Sequence, residues 1–335
     1  MKKWIISLLL LWLLPSCSDQ EKVQSATQLR MGTWVTISTA GHFPEATKAA
    51  FEEMGRLEKA LSSHDPNSPI SRINQGSRHQ WHVLDTETAQ LLERGLKIQQ
   101  YASNRFHMGL YHLSQLWGFM SETPLSEPPA PVLRAMWRQR GVPFLDDAFT
   151  FKQIEGQTRI HMPHAAFGLD LGAIAKGYAI DRAIAILQAH GVTGAIVNAG
   201  GDLRVIGDKY GQPWRIGIQD PTDKEQVIVR SELKGPRAMV TSGDYERFFM
   251  HEGKRYHHII DPLRGEPADF GWRSVSIQAS DAETADALST ALFAMTLKQG
   301  QALLRRFPNS EALWVDQQGQ HYQTKGFIGQ WLGPS

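Results

Sequence analysis

Asp286 and Thr290 stand four residues apart in the stretch Ser280-Asp281-Ala282-Glu283-Thr284-Ala285-Asp286-Ala287-Leu288-Ser289-Thr290. On a helix that spacing puts a carboxylate and a hydroxyl on one face, a turn apart. Two hard oxygen ligands suit Mg²⁺, which completes its shell with waters and substrate phosphates. Apolar residues Ala285, Leu288, Leu292 and Met295 recur with helical period, and Ser280 with Glu283 reads as a capping box that opens the helix. The same residues also fit a plain amphipathic helix, with Thr290 bonded back to a carbonyl and Asp286 a solvated charge.

A second stretch, Gly168-Leu169-Asp170-Leu171-Gly172-Ala173-Ile174-Ala175-Lys176-Gly177-Tyr178, is predicted to run from a short strand into a helix ending at His190-Gly191. Turn glycines admit a ligand to the backbone. The helix start offers amides and a positive dipole end, and Lys176 adds a full charge. That is the chemistry of a phosphate seat, although the glycine spacing matches neither a Walker A loop nor G-x-G-x-x-G. Glycines placed for close helix packing would account for it as well. His107 and His112, five residues apart, have no third ligand type nearby at a familiar spacing and read as lining of a pocket or core.

These residues need elements to position them. Met31–Ser38 alternates as a strand does, Pro44–Leu61 is an amphipathic helix with Pro in its first turn, and Asp85–Asn104 is a helix opened by Asp85. Val132–Arg140 is a short helix after a proline-rich loop. Gly194–Asn198, Leu203–Gly207, Trp214–Ile218 and Ser274–Gln278 read as strands, and Arg255–Pro262 as a strand closed by a turn. Ser18–Gln28 is polar and reads as a linker.

The chain bounds its own class. Hydrophobic residues make up 41% and charged residues 21% of the 335, an ordinary globular composition. A formal charge of +1 leaves no basic surplus for nucleic acid. Lys2 and Lys3 precede an apolar run, Ile5–Leu14, too short to span a bilayer. Leu14-Pro15-Ser16-Cys17 then resembles a bacterial lipobox, and Cys17 is the single cysteine. A lipid-anchored periplasmic protein without intramolecular disulfides is expected.

Four motifs occur in order: D-L-G-A-I-A-K-G-Y (170–178), N-A-G-G-D-L (198–203), T-S-G-D-Y-E (241–246) with H-H-I-I-D-P (257–262), and A-D-A-L-S-T-A (285–291). Together with Met31-Gly32-Thr33 and Leu116-Trp117-Gly118-Phe119 they resemble the ApbE family of FAD:protein FMN transferases, from about Met31 to the C-terminus. The resemblance implies an α+β fold, with a mixed sheet flanked by helices and related to the T-fold. It divides the chain into a leader (1–16), a lipidated N-terminus and linker (17–28) and one flavin transferase domain (29–335).

It also implies FAD as substrate, Mg²⁺ as the metal, and transfer of FMN to a Thr or Ser hydroxyl of a partner flavoprotein with release of AMP. The implied metal ligands are Asp286, Thr290 and the carbonyl of Ala173, with Ser289 where some relatives carry a further carboxylate. Flavin or pyrophosphate contacts fall on Met31, Met108, Gly109, Leu110, Asp170, Lys176 and Ile260. His64 stands where many relatives have Tyr, and Phe106–Gly109 and Tyr111-His112 depart from the usual pattern. All of these should border the flavin end or the acceptor-facing mouth. His258 and Asp261 are candidates for the base a weak hydroxyl nucleophile needs, and His258 fits a flavin contact as well. Rnf- or Nqr-type electron-transport proteins are the implied clients. An FAD pyrophosphatase would keep the same metal site with water as the acceptor, whereas a non-catalytic FAD-binding lipoprotein would predict loss of the metal ligands, and Asp286 and Thr290 are both present.

Overall fold

The computed structural model describes residues 22–76, 80–121, 125–223 and 225–333. Cys17 and the leader lie outside the described residues. Among these, no helix is long and apolar enough to cross a membrane.

An eight-stranded sheet forms the centre, in the order Val23–Arg30, Thr33–Ala40, Ala195–Ala199, Asp202–Ile206, Arg237–Gly243, Trp272–Ala279, Glu311–Asp316, His321–Gln323. The α+β class is as expected, but every pairing in this sheet is antiparallel, where a mixed sheet was expected. Several neighbours are joined by tight hairpins, which can only make antiparallel pairs. From Val23 on, the described part of the expected linker belongs to an edge strand, since Val23–Arg30 pairs along its whole length with Thr33–Ala40. Its outer positions are solvated and its contacts polar, such as Thr27 with Thr36 at 2.9 Å, so no apolar alternation marks it in the sequence.

Helices cover one face. They are α1 (Pro44–Leu61), α2 (Pro69–Gln75), α3 (Thr86–Tyr101), α4 (Tyr111–Leu116), α5 (Pro131–Arg140), α6 (Ala175–Ala189), α7 (Ala282–Phe293) and α8 (Leu297–Leu304). A three-stranded sheet of Trp214–Gln219, Val227–Leu233 and Gln330–Trp331 covers part of the other face. Strand periodicity serves both layers. Ala312 and Trp314 point into the helix-side core while Leu313 and Val315 join the opposite cluster, and Ala238 and Val240 divide from Met239 in the same way. A strand buried on both faces therefore reads as an unbroken apolar run.

The two central helices, α6 and α7, cap each other. Asp286 of α7 accepts the Gly177 amide of the first turn of α6 at 2.9 Å. In return Asp181 of α6 accepts the Ala282 and Glu283 amides of α7 at 2.9 and 2.8 Å. Within α7 the N-cap is Asp281, which accepts from the Thr284 amide, and not Ser280. Glu283 thus falls one place short of the capping-box position, and its carboxylate pairs instead with Arg94 of α3.

Candidate active site

A cavity of about 800 Å³ opens between the helix layer and the ends of the central strands. Its size suits a nucleotide-sized ligand. Met31, His64, Leu110, Asp170, Ala173, Lys176, His258, Ile260, Asp286 and Thr290 all line it. Segments as distant as the first hairpin and α7 therefore meet at one place.

Met31 sits in the two-residue turn between Arg30 and Thr33, with φ of 52° at Met31 and 70° at Gly32. Both positive values belong to a turn whose twist matches a right-handed hairpin. Asp170 is held by Ser114 of α4, whose hydroxyl donates to it at 2.9 Å, and by the Gly172 amide at 3.0 Å. Exposed His64 closes the α1–α2 side of the mouth.

Lys176 does not stand free to meet a phosphate. Its ammonium pairs with Asp202, a residue the sequence reading did not single out. Burial pushes the ammonium pKa down, but Asp202, Asp286 and Glu246 more than offset this and hold it above the usual lysine range. Nor are all the helix-start amides available. Asp286 takes that of Gly177, and the Leu171 carbonyl takes that of Ala175. The expected phosphate seat is thus partly closed from within, and Gly177 serves close helix packing.

Asp286 is 5% exposed rather than a surface charge on α7. Burial and the charge of Asp202 raise its pKa, while Lys176 and the Gly177 amide oppose the rise. Thr290 lies 3.5 Å from the Ser242 hydroxyl, which is also 2.8 Å from Ser289. Ser289 is wholly buried and donates to the Asp286 carbonyl, so it supports α7 instead of reaching the cavity.

The donor set fits a hard divalent cation. Asp286, Thr290 and Ala173, whose carboxylate, hydroxyl and backbone carbonyl are all hard oxygen donors, line the same cavity, as does Asp202. Among the described residues, five carboxylates line it against three Lys or Arg cations. Among the described residues no three His, Cys, Asp or Glu side chains form a metal-binding group. The expected set is of a different kind, a single acidic side chain joined by a hydroxyl and a backbone carbonyl.

His258 lines the cavity with its Nδ1 3.3 Å from the Arg247 carbonyl. Burial and the Arg247 charge push its pKa well down, so the ring is neutral. A neutral ring that donates from Nδ1 keeps the Nε2 lone pair available, which a general base requires. Asp261 is different. It is fully buried, its Oδ2 is 2.6 Å from Arg105 Nη1, and its Oδ1 accepts the Leu263 amide, so it braces a turn outside the cavity wall.

Met108 and Gly109 also stay off the wall. Met108 points into the core, where its sulfur occupies the space beside Gly95, while the Gly109 carbonyl receives the Gly168 amide. Their backbone contribution is indirect, through the Met108 carbonyl that takes the Asp170 amide at 2.8 Å.

His107 lines the cavity as a buried ring, in accord with its reading as pocket lining. Its Nδ1 accepts the Gly109 amide at 2.9 Å, so Nε2 must carry the hydrogen that meets the Leu145 carbonyl at 3.0 Å. Burial lowers its pKa to about 4. The unfolded chain binds this proton from about pH 6.5 downward and the folded protein only near 4. Stability from this group is therefore complete above about pH 6.5 and is lost as pH falls toward 4, by roughly 3 kcal/mol. Urea unfolding at pH 7.5 and 4.5 should show this loss, and His107→Asn should flatten that share of the slope. An unchanged slope in the variant would refute the assignment.

This architecture is that of the solved ApbE proteins. The ApbE protein of Thermotoga maritima matches with a TM-score of 0.82 at 33% identity, covering 91% of this chain and 97% of that one. The flavin transferase ApbE of Vibrio cholerae matches at 0.79 and 26% identity, covering 91% and 98%. The ApbE family model matches residues 31–314, and the chain belongs to the ApbE family. Among curated relatives, the FAD:protein FMN transferase of Treponema pallidum is 33% identical over 326 residues, 90% of this chain and 87% of that protein. The FAD:protein FMN transferase of Klebsiella pneumoniae is 29% identical over 302 residues, covering 89% and 90%.

Proposed function

We propose that this protein transfers FMN from FAD to a Thr or Ser hydroxyl of a partner flavoprotein, forming a phosphoester and releasing AMP. The observation that carries the reading is the meeting of Asp286, Thr290, Ala173, Lys176 and His258 around one cavity. In the reaction the acceptor oxygen bonds to the FMN phosphorus as the bond to the AMP oxygen breaks. His258 takes the hydroxyl proton at Nε2. Asp286, Thr290 and the Ala173 carbonyl would hold Mg²⁺, which when bound neutralises phosphate charge and stabilises the departing oxygen. Lys176 keeps Asp202 and Asp286 compatible within one buried cluster. Positioning and electrostatics of this kind carry most phosphoryl transfers. The lipobox reading extends the proposal to a periplasmic protein tethered by Cys17, with Rnf- or Nqr-type subunits as acceptors.

The test uses protein beginning after Cys17, with FAD, Mg²⁺ and an acceptor domain of that type, and reads acceptor mass and AMP together. An acceptor heavier by one FMN, with equal AMP, and neither product in chelator, is the expected result. Free FMN and AMP beside an unmodified acceptor would make the protein a pyrophosphatase toward that mixture. Bound FAD with no AMP would replace the transferase reading by a carrier.

A further inference from the structure

The geometry points to Arg247 as the side chain that binds the phosphate of the flavin nucleotide, beside the base His258. This assignment rests on the flavin-transfer reading and adds a residue to it. Among the described residues, three Lys or Arg cations line the cavity: Arg105, Lys176 and Arg247. The first two are committed, Arg105 to Asp261 and Lys176 to Asp202. Among the described residues the Arg247 guanidinium makes no hydrogen bond or ion pair. Asp244, on the same segment, is occupied on both oxygens by Arg255 and Arg273 at 2.9 Å each.

The root of the side chain is fixed while its end is free. The Arg247 carbonyl accepts the His258 amide at 3.0 Å and lies 3.3 Å from His258 Nδ1. A long cation is thereby anchored one residue-width from the ring that faces the reacting hydroxyl. A planar guanidinium can meet two phosphate oxygens at once, which an ammonium cannot. An anionic substrate entering a wall richer in carboxylates than cations gains most from a cation that, among the described residues, has no carboxylate to give up.

Riboflavin, FMN and FAD form the series that tests this, because only riboflavin lacks phosphate. Each is titrated by flavin fluorescence against the native protein, Arg247→Gln and Arg247→Lys at fixed salt, without acceptor. Unchanged thermal unfolding of the variants, expected for an exposed residue, keeps the comparison sound. Arg247→Gln should bind FMN and FAD about tenfold to a hundredfold more weakly, with riboflavin affinity unchanged, and Arg247→Lys should recover part of the loss. Equal affinities in all three proteins, or an equal loss for riboflavin, would overturn the assignment while leaving flavin binding intact. A native protein that binds none of the three would remove the flavin-transfer reading and this assignment with it.

Discussion

Asp286→Asn should leave the protein folded and able to bind FAD, yet slow FMN transfer by about 10²- to 10³-fold, the several kcal/mol that a lost metal charge contributes to a transition state. Shape and one hydrogen bond survive the change, since the Asn carbonyl oxygen can still accept the Gly177 amide. The charge does not survive. In the native protein this carboxylate is buried beside Asp202, an arrangement that favours its protonated form. Removing its charge relieves that repulsion, so urea unfolding should show stability equal to or above native. Loss of activity together with undiminished stability is the signature of a residue kept for chemistry. Asp286→Ala goes further, abolishing transfer and also leaving the Gly177 amide without its acceptor, at about 1–3 kcal/mol. Undiminished AMP release by Asp286→Asn would remove Asp286 from the proposed metal site.

Gly177→Ala should destabilise the fold by about 3 kcal/mol or more, although Ala is ordinarily the better helix former. A Cβ at Gly177 would lie 2.1 Å from the Ala282 carbonyl oxygen and 2.8 Å from the Asp286 Cβ. Neither neighbour is the flexible end of a side chain. The clash can be relieved only by moving α6 and α7 apart, which would lengthen the reciprocal caps from Asp286 and Asp181. Because Asp286 and Thr290 ride on α7, the cavity lining they form would move with it, and transfer should fall even in the fraction that stays folded. Denaturant unfolding measures the first effect and AMP release at saturating FAD the second. A stability change under 1 kcal/mol would mean the two helices are less tightly coupled than this contact requires.

Much of the fold was legible because its signals are local. Pro44 opens α1 at its first position and the helix closes at Leu61, as read from the sequence. Asp85 caps α3 through the Thr88 amide, and Trp214–Gln219 is a strand with strictly alternating burial. Caps, proline positions and periodicity act over a few residues, so they can be read without knowing what packs on top. Val23–Arg30 escaped because an exposed edge strand needs no apolar pattern. The capping box at Ser280 failed for a related reason: Asp281 outcompeted Ser280 for the cap, and Arg94, distant in sequence, claimed Glu283.

For the site, the sequence by itself determined which residue types were present and which of them share a helix face. Asp286 and Thr290 do line one wall, and the ordered motifs carried Met31, Asp170 and His258 to the same cavity. Only the tertiary structure decided what each charge is doing. It paired Lys176 with Asp202, buried Asp286 among acids, tied Asp261 to Arg105 and turned Met108 inward. It also left Arg247, among the described residues, without a carboxylate partner. The physical reason is range. Backbone propensity and periodicity are set by neighbours within one or two turns, whereas a charge answers to whatever lies within a few ångströms across the fold and to the water that burial removes.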